Sequence, residues 1–363
     1  MARFLHKLLD RYLERYLRAH PQQLQPIERL ERPPARLLVI SSTALGDTLL
    51  STPAIKSLRK SFPEARITFL VHRNVAPLFA GFPYVDETVL YHGGYRRFFS
   101  TVAELRRQQP EAALIFHGNG PQDIALAVLS GARFILKHPT ASPQRIYLSH
   151  QFMPKRQHTI EDRLDLVRLL GGTVIDPTME IPPLRDGNRD AAVLAGLGGA
   201  GKIVGFQVGA SHPYNMWPID NFGRLAEKIL AADPEVTIVV TGVDRERPLG
   251  EKLVHACGNR VLNCCGRYGI ADLPYLIRRF SLLVTGDTGP MHLAIALGVP
   301  TLSLFSAANH LGTGPYQDPT LHRVIQKDGS FVHRLPKKQR DDSAMRLISV
   351  EEVFAAYEAC LHH

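Results

Sequence analysis

Residues 285–305 read TGDTGPMHLAIALGVPTLSLF and predict one complete unit of an α/β fold. The apolar run 281–285 that leads into them is typical of a buried strand. Pro290 suits the first turn of a helix, where its missing N–H is no loss. The helix continues over 291–297, and Gly298 then ends it in a left-handed conformation. The stretch therefore predicts a strand, a turn and a helix in that order.

The turn at the start of this helix predicts an anion site. Either Asp287 or Thr288 can cap the helix with a side-chain oxygen. A helix that begins at the carboxyl end of a parallel strand points its free N–H groups and its positive dipole end at that edge of the sheet. A phosphate binds well at such a place, although an ordinary strand–turn–helix connection has the same sequence features.

A second informative segment, SSTALGDTLLSTPAIKSLRKSFP, occupies residues 41–63 and follows the apolar run RLLVI at 36–40. That run predicts the first buried strand. Gly46 permits a tight turn, and Asp47 follows it at the mouth of the next helix. Pro53 bends that helix or marks its first turn. The Asp47 carboxylate is placed to act as a base, and the alternative is that it caps the helix.

The rest of the chain alternates strands with helices, which is typical of doubly wound parallel sheets. One series of predicted strands comprises 36–40, 66–71, 113–117 and 132–136, and the other comprises 203–207, 236–241, 261–264, 281–285 and 301–305. Proline, glycine and charge cluster between the two series, at 181–190. We therefore predict a helix and linker at 1–35, domains at 36–185 and 186–335, and a helical segment at 336–363.

One glycine motif is misleading. Residues 196–201 read GLGGAG, which has the spacing of a dinucleotide fingerprint. Such a fingerprint follows a strand and opens a helix. Here the glycines follow a predicted helix and precede the strand at 203–207, so they are interpreted as a helix stop and a connector.

The segments at 41–63 and 285–305 resemble the two signature stretches of glycosyltransferase family 9, the heptosyltransferase family of lipopolysaccharide assembly. Weaker similarities are VGASHPYNMWP at 208–218, TGVDRE at 241–246 and CGRYGIADL at 265–273. The resemblance covers roughly residues 35–330. It implies a GT-B fold, with two Rossmann-like domains facing a cleft. It also implies an inverting, metal-independent transfer of heptose or a related sugar from an ADP-sugar to a lipopolysaccharide core or related glycolipid, with no cofactor.

The resemblance also implies roles for individual residues. Asp47 matches the family's proposed base, and Thr43 and Gly46 belong to the turn beside it. On the donor side the matches are Ser211 for phosphate, Asp244 for ribose, Tyr268 for the base, Asp287 for the sugar, Thr288 and Gly289 at the helix start, and His292 facing the cleft. A structural histidine on a helix face is the alternative for His292.

Asn215 is also assigned to the donor site, but the sequence departs from the family pattern there, since many members have a lysine that contacts the phosphates or the donor sugar. His212 or Arg267 are candidates to replace that cation. The departure keeps two alternatives open: a non-catalytic protein of the same fold that binds nucleotide or glycolipid, and a transferase that uses another nucleotide sugar.

Acceptor contacts are predicted in the first domain. Arg73, His117 and Asn119 follow predicted strand ends on the cleft side, and ordinary loop chemistry is their alternative interpretation. The formal charge of +9 favours an anionic partner. No helix-turn-helix, zinc-finger or RNA-binding signature is evident, so a glycolipid or a bilayer is favoured over nucleic acid.

The four cysteines form no C-x-x-C pair, which predicts neither a disulfide framework nor a zinc site and favours the cytoplasm. The first 20 residues predict an amphipathic helix with five basic and two acidic side chains on its polar face. Such a helix lies on the inner leaflet of an anionic membrane, or it docks on the protein body or on a second subunit. Residues 21–36 are interpreted as a linker.

Overall fold

The computed structural model describes residues 2–118, 120–138, 143–150, 157–199 and 201–361, and Asn119, one of the predicted acceptor residues, lies outside them. The chain divides into two units, Met1–Pro182 and Pro183–His363. Each unit is a parallel β-sheet covered by helices, and each is described by itself below.

The first unit contains a five-stranded parallel sheet in the order β3-β2-β1-β4-β5. Its strands are β1 (Arg36–Ser41), β2 (Arg66–His72), β3 (Glu87–Tyr91), β4 (Ala112–His117) and β5 (Phe134–Lys137). Its helices are α1 (Ala2–Ala19), α2 (Leu45–Leu49), α3 (Thr52–Ser61), α4 (Phe98–Gln108), α5 (Gln122–Leu129) and α6 (Thr159–Leu169).

The central strand β1 is buried on both faces, as its unbroken apolar run predicts. Leu38 and Ile40 join the core formed with α1, α4 and α5, while Leu37 and Val39 are equally buried. This burial on two sides is characteristic of parallel sheets. After β1, Pro53 lies in the first turn of α3, so the predicted single helix is two helices, α2 and α3.

Gly46 corrects one expectation about this segment. We expected it to form a tight turn, but it lies inside α2, which begins at Leu45. The extended residue before α2 is Ala44, so the capping position belongs to Ala44 and not to Asp47. The interpretation of Asp47 as a helix cap is therefore wrong, and its carboxylate is available for another role.

The second unit contains a six-stranded parallel sheet in the order β11-β10-β9-β6-β7-β8. Its strands are β6 (Lys202–Gln207), β7 (Val236–Thr241), β8 (Val261–Asn263), β9 (Leu282–Gly286), β10 (Thr301–Phe305) and β11 (His322–Gln326). Its helices are α7 (Gly187–Gly196), α8 (Ile219–Ala232), α9 (Arg247–Cys257), α10 (Leu273–Ile277), α11 (Gly289–Ala296), α12 (His310–Thr313) and α13 (Val350–Leu361).

The strand–turn–helix prediction for 285–305 is confirmed in β9 and α11. Pro290 lies in the first turn of α11, and Gly298 adopts a φ of 67° after its last turn. The predicted side-chain cap is wrong for Thr288, which occupies the capping position without a capping hydrogen bond. Its hydroxyl lies 3.0 Å from the hydroxyl of Thr285 instead.

The GLGGAG segment begins at the last residue of α7 and precedes β6, which confirms that its glycines end a helix and connect it to a strand, and are not a dinucleotide site. Two strands, β3 and β11, were not predicted. Each is the outermost strand of its sheet and has a mixed pattern of buried and exposed residues.

Helix α1 docks part of its apolar stripe on the first unit. Leu9 and Leu13 are buried in the core that contains β1 and α5. The segment after α1, interpreted as a linker, is hydrogen-bonded to the body: the N–H of Gln25 donates to the carbonyl of Arg133, and the N–H of Ile27 donates to the carbonyl of Ser149.

Candidate active site

A cavity of about 490 Å³ lies at the carboxyl edge of the first sheet. In parallel sheets the loops at this edge, next to the point where strand order reverses, are the usual place for a ligand. Here the order reverses between β1 and β4, and residues from the loops after both strands line the cavity. The lining comprises Ser42, Thr43, Ala44, Asp47, His72, Asn74, Val75, Tyr91, Gly93, Gly94, His117 and Gln122.

Asp47, Thr43 and His117 form one hydrogen-bonded group in this cavity. The Thr43 hydroxyl donates to Asp47 Oδ2 over 2.9 Å and lies 2.7 Å from His117 Nδ1. His117 Nε2 lies 3.4 Å from Asp47 Oδ1. Because a hydroxyl has one proton, a Thr43 bond to Asp47 requires that His117 carry its proton on Nδ1. Asp47 Oδ1 and His117 Nε2 are then two acceptors side by side.

Burial determines the charge of this histidine. It lowers the pKa of His117, and the nearby positive charge of Arg163 lowers it further, while the Asp47 carboxylate acts in the opposite direction. His117 is therefore neutral at neutral pH, and the negative charge of Asp47 is not cancelled by an imidazolium.

Arg163 of α6 supports Asp47 from inside the protein. Its side chain is almost completely buried, and its Nη1 donates to the main-chain carbonyl of Asp47 over 2.7 Å. Nη2 lies 3.9 Å from the carboxylate of the same residue. Burial lowers the pKa of the guanidinium to about 10, so it stays protonated at neutral pH and places a fixed positive charge behind Asp47.

Sequence reasoning missed Arg163, although a signal was present. Ile160, Arg163, Leu164 and Val167 have the spacing of one helix face, and three of the four are apolar. An arginine on the apolar face of a helix needs a partner inside the protein, and here that partner is Asp47.

Arg73, predicted as an acceptor contact, is exposed and does not line the cavity. Its N–H donates to the carbonyl of Tyr91, so its backbone is tied to the neighbouring strand. The residues on either side of it, His72 and Asn74, line the cavity in its place.

A second cavity, of about 480 Å³, lies at the carboxyl edge of the sheet in the second unit. It contains the predicted donor residues Ser211, Asp244, Tyr268, Thr288 and Gly289 together. Their loops follow four strands, β6, β7, β8 and β9. The remaining lining residues are Gln207, Gly209, Ala210, Gly242, Val243, Arg245, Glu246, Gly266, Gly269, Ile270, Leu273 and Pro290.

A buried carboxylate explains two of the glycines in this lining. Glu246 is 5% exposed, and it accepts a hydrogen bond from the N–H of Val243 over 2.7 Å. A Cβ on Gly209 would overlap this carboxylate, and a Cβ on Gly242 would lie 2.6 Å from its Oε2. The loops after β6 and β7 can therefore come together around Glu246 only because both positions lack a side chain.

Three predicted donor residues are outside the lining of this cavity: Asn215, Asp287 and His292. The carbonyl of Asn215 lies 2.6 Å from the place where a Cβ of Gly286 would stand, so the loop after β6 packs against the end of β9. His292 is buried, with Nε2 4.0 Å from Asp287 Oδ1. That burial fits the structural role that the sequence left open for His292.

The cations proposed to replace a lysine at position 215 occupy other places. His212 stacks on Tyr214, with ring centroids 4.9 Å apart, and Arg267 packs over Tyr268 and donates to the carbonyl of Gly196. Neither lines the cavity, whereas Arg245 does. Within the described residues, no group of three or more His, Cys, Asp or Glu side chains is arranged to hold a metal ion.

Comparison with known proteins shows the family of the chain. A family model described as glycosyltransferase family 9 (heptosyltransferase) matches residues 142–331, more than half of the chain. Lipopolysaccharide heptosyltransferase 3 of Escherichia coli is 26% identical over 344 residues, which cover 87% of this chain and 96% of that protein.

Solved structures agree on the fold. A family 9 glycosyl transferase from Veillonella parvula superimposes with a TM-score of 0.75 at 22% identity and covers 90% of this chain and 97% of its own. ADP-heptose lipopolysaccharide heptosyltransferase II of Escherichia coli superimposes with a TM-score of 0.73 at 19% identity, over 90% and 98% of the two chains. The expected GT-B fold, with its two Rossmann-like units, is confirmed.

The chain belongs to glycosyltransferase family 9, and it is a glycosyltransferase. Among the helices of the described residues, none combines the length and the apolar character that crossing a membrane requires.

Proposed function

We propose that this member of glycosyltransferase family 9 transfers heptose from ADP-heptose to the core of a lipopolysaccharide or a related glycolipid. The observation that carries the proposal is the Asp47 carboxylate, held by Thr43 and Arg163 at the edge of an open cavity. The names of two similar proteins supply the donor and the acceptor: a lipopolysaccharide heptosyltransferase and an ADP-heptose heptosyltransferase.

In the proposed reaction, Asp47 is the general base. An acceptor hydroxyl gives its proton to Asp47 Oδ1 while its oxygen forms a bond to the anomeric carbon of the donor. The bond from that carbon to the diphosphate breaks in the same step, so the configuration at the carbon inverts and ADP leaves with the electron pair. The neutral His117 lies beside this carboxylate, with Nε2 3.4 Å from Oδ1, and leaves its negative charge uncancelled.

The donor is proposed to bind in the second cavity. The N–H groups at the start of α11 and the Ser211 hydroxyl face developing negative charge on the diphosphate. Asp244 would contact the ribose and Tyr268 the base. We further propose that the transfer needs neither a cofactor nor a divalent metal, because helix N–H groups and hydrogen bonds can hold the diphosphate. Unchanged activity in EDTA is the expected result, and activity restored only by Mg²⁺ or Mn²⁺ would contradict it.

Two measurements on the full chain test the function. The first is thermal stability in the presence of ADP, UDP and GDP, because a ligand that binds only the folded state raises its stability. The second is release of ADP from ADP-heptose, with and without a heptose-deficient lipopolysaccharide core. We expect stabilisation by ADP and acceptor-dependent release. Binding of ADP without any transfer would support the non-catalytic alternative, and preference for UDP or GDP would support another donor.

A cytoplasmic location on the inner leaflet is also proposed, from the surface of α1 that the protein body leaves exposed. Phe4, Leu8 and Tyr12 follow one another at intervals of four residues, and Phe4 is 64% exposed. Phe99 of α4, 60% exposed, meets Tyr12 edge to face with ring centroids 5.5 Å apart. We call these four side chains the apolar patch.

Basic residues surround the apolar patch. Lys7, Arg11 and Arg15 form the next row along α1, and Arg97 precedes Phe99 at the start of α4; all four are exposed. The acidic Asp10 accepts a hydrogen bond from Gln144 on another side of the helix. An apolar face with basic neighbours matches an anionic bilayer, where each nearby basic residue contributes about 1 kcal/mol.

Point substitutions test this better than deletion of α1, because Leu9 and Leu13 belong to the core of the first unit. We expect Phe4→Ser with Phe99→Ser to weaken binding to vesicles that contain phosphatidylglycerol. Leu311→Ser, at a residue that is 67% exposed in the second unit, is the matched control. Equal vesicle binding by both variants would contradict the membrane proposal, while ADP release with a water-soluble acceptor should be unchanged in both.

A further inference from the structure

The second cavity, where we propose that the donor binds, is lined by one positively charged side chain that has no role in the proposed reaction described above. Arg245 lines this cavity, and no other lysine or arginine does so among the described residues. Two of the other lining residues, Asp244 and Glu246, are acidic. A nucleoside diphosphate brings further negative charge, and a positive side chain beside it lowers the cost of taking that charge out of water.

Arg245 belongs to the segment after β7 and also contacts the loop after β6. Its Nη2 donates to the carbonyl of Ala210 over 3.1 Å, next to Ser211 in the chain. Nε and Nη2 each lie 3.4 Å from Oε1 of Glu246, at the long end of hydrogen-bond distances. Within the described residues, Nη1 has no hydrogen bond or ion pair.

The exposure of Arg245 and Glu246 differs strongly. The Arg245 side chain is 69% exposed, whereas that of Glu246 is 7% exposed. Glu246 is fixed by the N–H of Val243 and by the space that Gly209 and Gly242 leave for it. The Ala210 carbonyl and the Glu246 carboxylate thus hold Nε and Nη2, while Nη1 has no partner among the described residues.

From these contacts we infer that Arg245 is a donor-binding residue that pairs with the diphosphate of the nucleotide sugar. This inference rests on the proposed function, because it assumes that the cavity takes a nucleoside diphosphate. Guanidinium is suited to the role, since it binds phosphate oxygens through two parallel N–H groups and is always protonated. The arginine then supplies the charge that an asparagine at position 215 lacks.

The test compares ADP with adenosine, which has the same base and ribose but no phosphate. Dissociation constants of both ligands are measured by calorimetry for the full chain, for Arg245→Ala and Arg245→Gln, and for Arg224→Ala. Arg224 is a matched control, because it is an exposed arginine of the same unit that pairs with Glu351 and lies outside the cavity lining.

We expect both Arg245 variants to bind ADP about ten-fold or more weakly, as loss of a charge-assisted hydrogen bond predicts, and to bind adenosine within two-fold of the unchanged protein. Arg224→Ala should leave both constants unchanged. Unchanged ADP affinity in the Arg245 variants would overturn the inference, and so would an equal loss for ADP and adenosine.

Failure of the proposed donor is distinguishable from failure of this inference. If the unchanged protein binds UDP or GDP and not ADP, the ADP-heptose donor is wrong. The Arg245 comparison is then made with that nucleoside diphosphate and its nucleoside, with the same expected ten-fold effect. If none of the three diphosphates binds the unchanged protein at millimolar concentration, both the donor proposal and the Arg245 inference are wrong.

Discussion

The two cavities occupy the same edge of two similar sheets, yet they are built from different parts of the chain. In the first unit, the cavity is lined by side chains that contact one another, with Asp47, Thr43 and His117 at its centre. In the second unit, the lining contains five glycines, among them Gly209 and Gly242. The difference shows that a parallel sheet supplies only the place of a site, and that the residues of its loops supply the chemistry.

The residues of each cavity suit the part of the reaction that we propose for it. Proton transfer requires a side chain that changes its charge state, held at a fixed position by its neighbours. Diphosphate binding requires N–H donors and space for a ligand to approach the backbone, which glycines provide. If the comparison is correct, substitutions in the first unit should change the rate of transfer, and substitutions in the second unit should change donor affinity.

Asp47→Asn should have the largest effect. The amide cannot accept the acceptor proton, so we expect kcat to fall by roughly 10²–10⁴-fold, the usual contribution of a general base. The dissociation constant of ADP should stay within a few-fold, because ADP is proposed to bind in the other unit. The measurements are single-turnover transfer and ADP calorimetry. Wild-type turnover by this variant would show that Asp47 is not the base. Loss of ADP binding would contradict the proposal that ADP binds in the second unit, away from Asp47.

Arg163→Lys should come next. Lysine keeps the positive charge, but it cannot reproduce the hydrogen bond from Nη1 to the Asp47 carbonyl together with the approach of Nη2 to the carboxylate. We expect kcat to fall by about 10–100-fold, in line with one lost charge-assisted hydrogen bond, without a change in ADP affinity. Melting temperature is measured alongside, since a variant that loses folding and activity together would indicate a structural role only.

Gly209→Ala tests whether the cavity of the second unit depends on glycines in its loops. The added methyl would overlap the Glu246 carboxylate, and we expect a loss of about 1–3 kcal/mol of stability together with weaker ADP binding. Gly201→Ala is the matched control, because a Cβ at that position meets no atom within 4 Å. Thermal unfolding and ADP titration measure both effects. Equal behaviour of the two variants would show that the loops tolerate a side chain beside Glu246.

His322→Gln should give the smallest effect and concerns a histidine outside both cavities. Burial lowers the pKa of His322 from 6.5 to about 4. Between these pH values the unfolded chain binds a proton at this histidine and the folded chain does not. The free energy of unfolding therefore falls as the pH is lowered from 6.5 towards 4. The expected loss from this residue is roughly 1–2 kcal/mol between pH 7 and pH 5. The glutamine variant should show a correspondingly flatter pH dependence of unfolding, and an unchanged slope would contradict this.

The interior strands could be predicted from the sequence because they are buried on both faces. The runs at 236–241 and 301–305 match β7 and β10 residue for residue. The edge strands β3 and β11 escaped prediction because polar positions interrupt their apolar pattern, whereas the edge strands β5 and β8 were predicted, at 132–136 and 261–264. The apolar pattern of a strand reflects the burial of its side chains, and β3 and β11 each have only two buried residues among five.

The candidate site shows the same limit. The loops that line the cavities could be predicted from turn and helix-start residues, but the contacts between distant segments could not. Arg163 reaches Asp47 from a helix more than one hundred residues further along the chain. Arg245 belongs to a segment whose resemblance was noted, yet only the structure shows its approach to Ala210.

The strand order has a consequence for how the protein is made. In each sheet the first strand to leave the ribosome is an interior one: β1 pairs with β2 and β4, and β6 pairs with β7 and β9. The second partner of each is synthesised only after the sheet has grown outward on the other side. Until β4 and β9 emerge, one edge of β1 and one edge of β6 expose unpaired N–H and C=O groups, which can pair with other chains. The strands that complete the two ligand cavities are therefore also the ones that cover the open edges of β1 and β6 during translation.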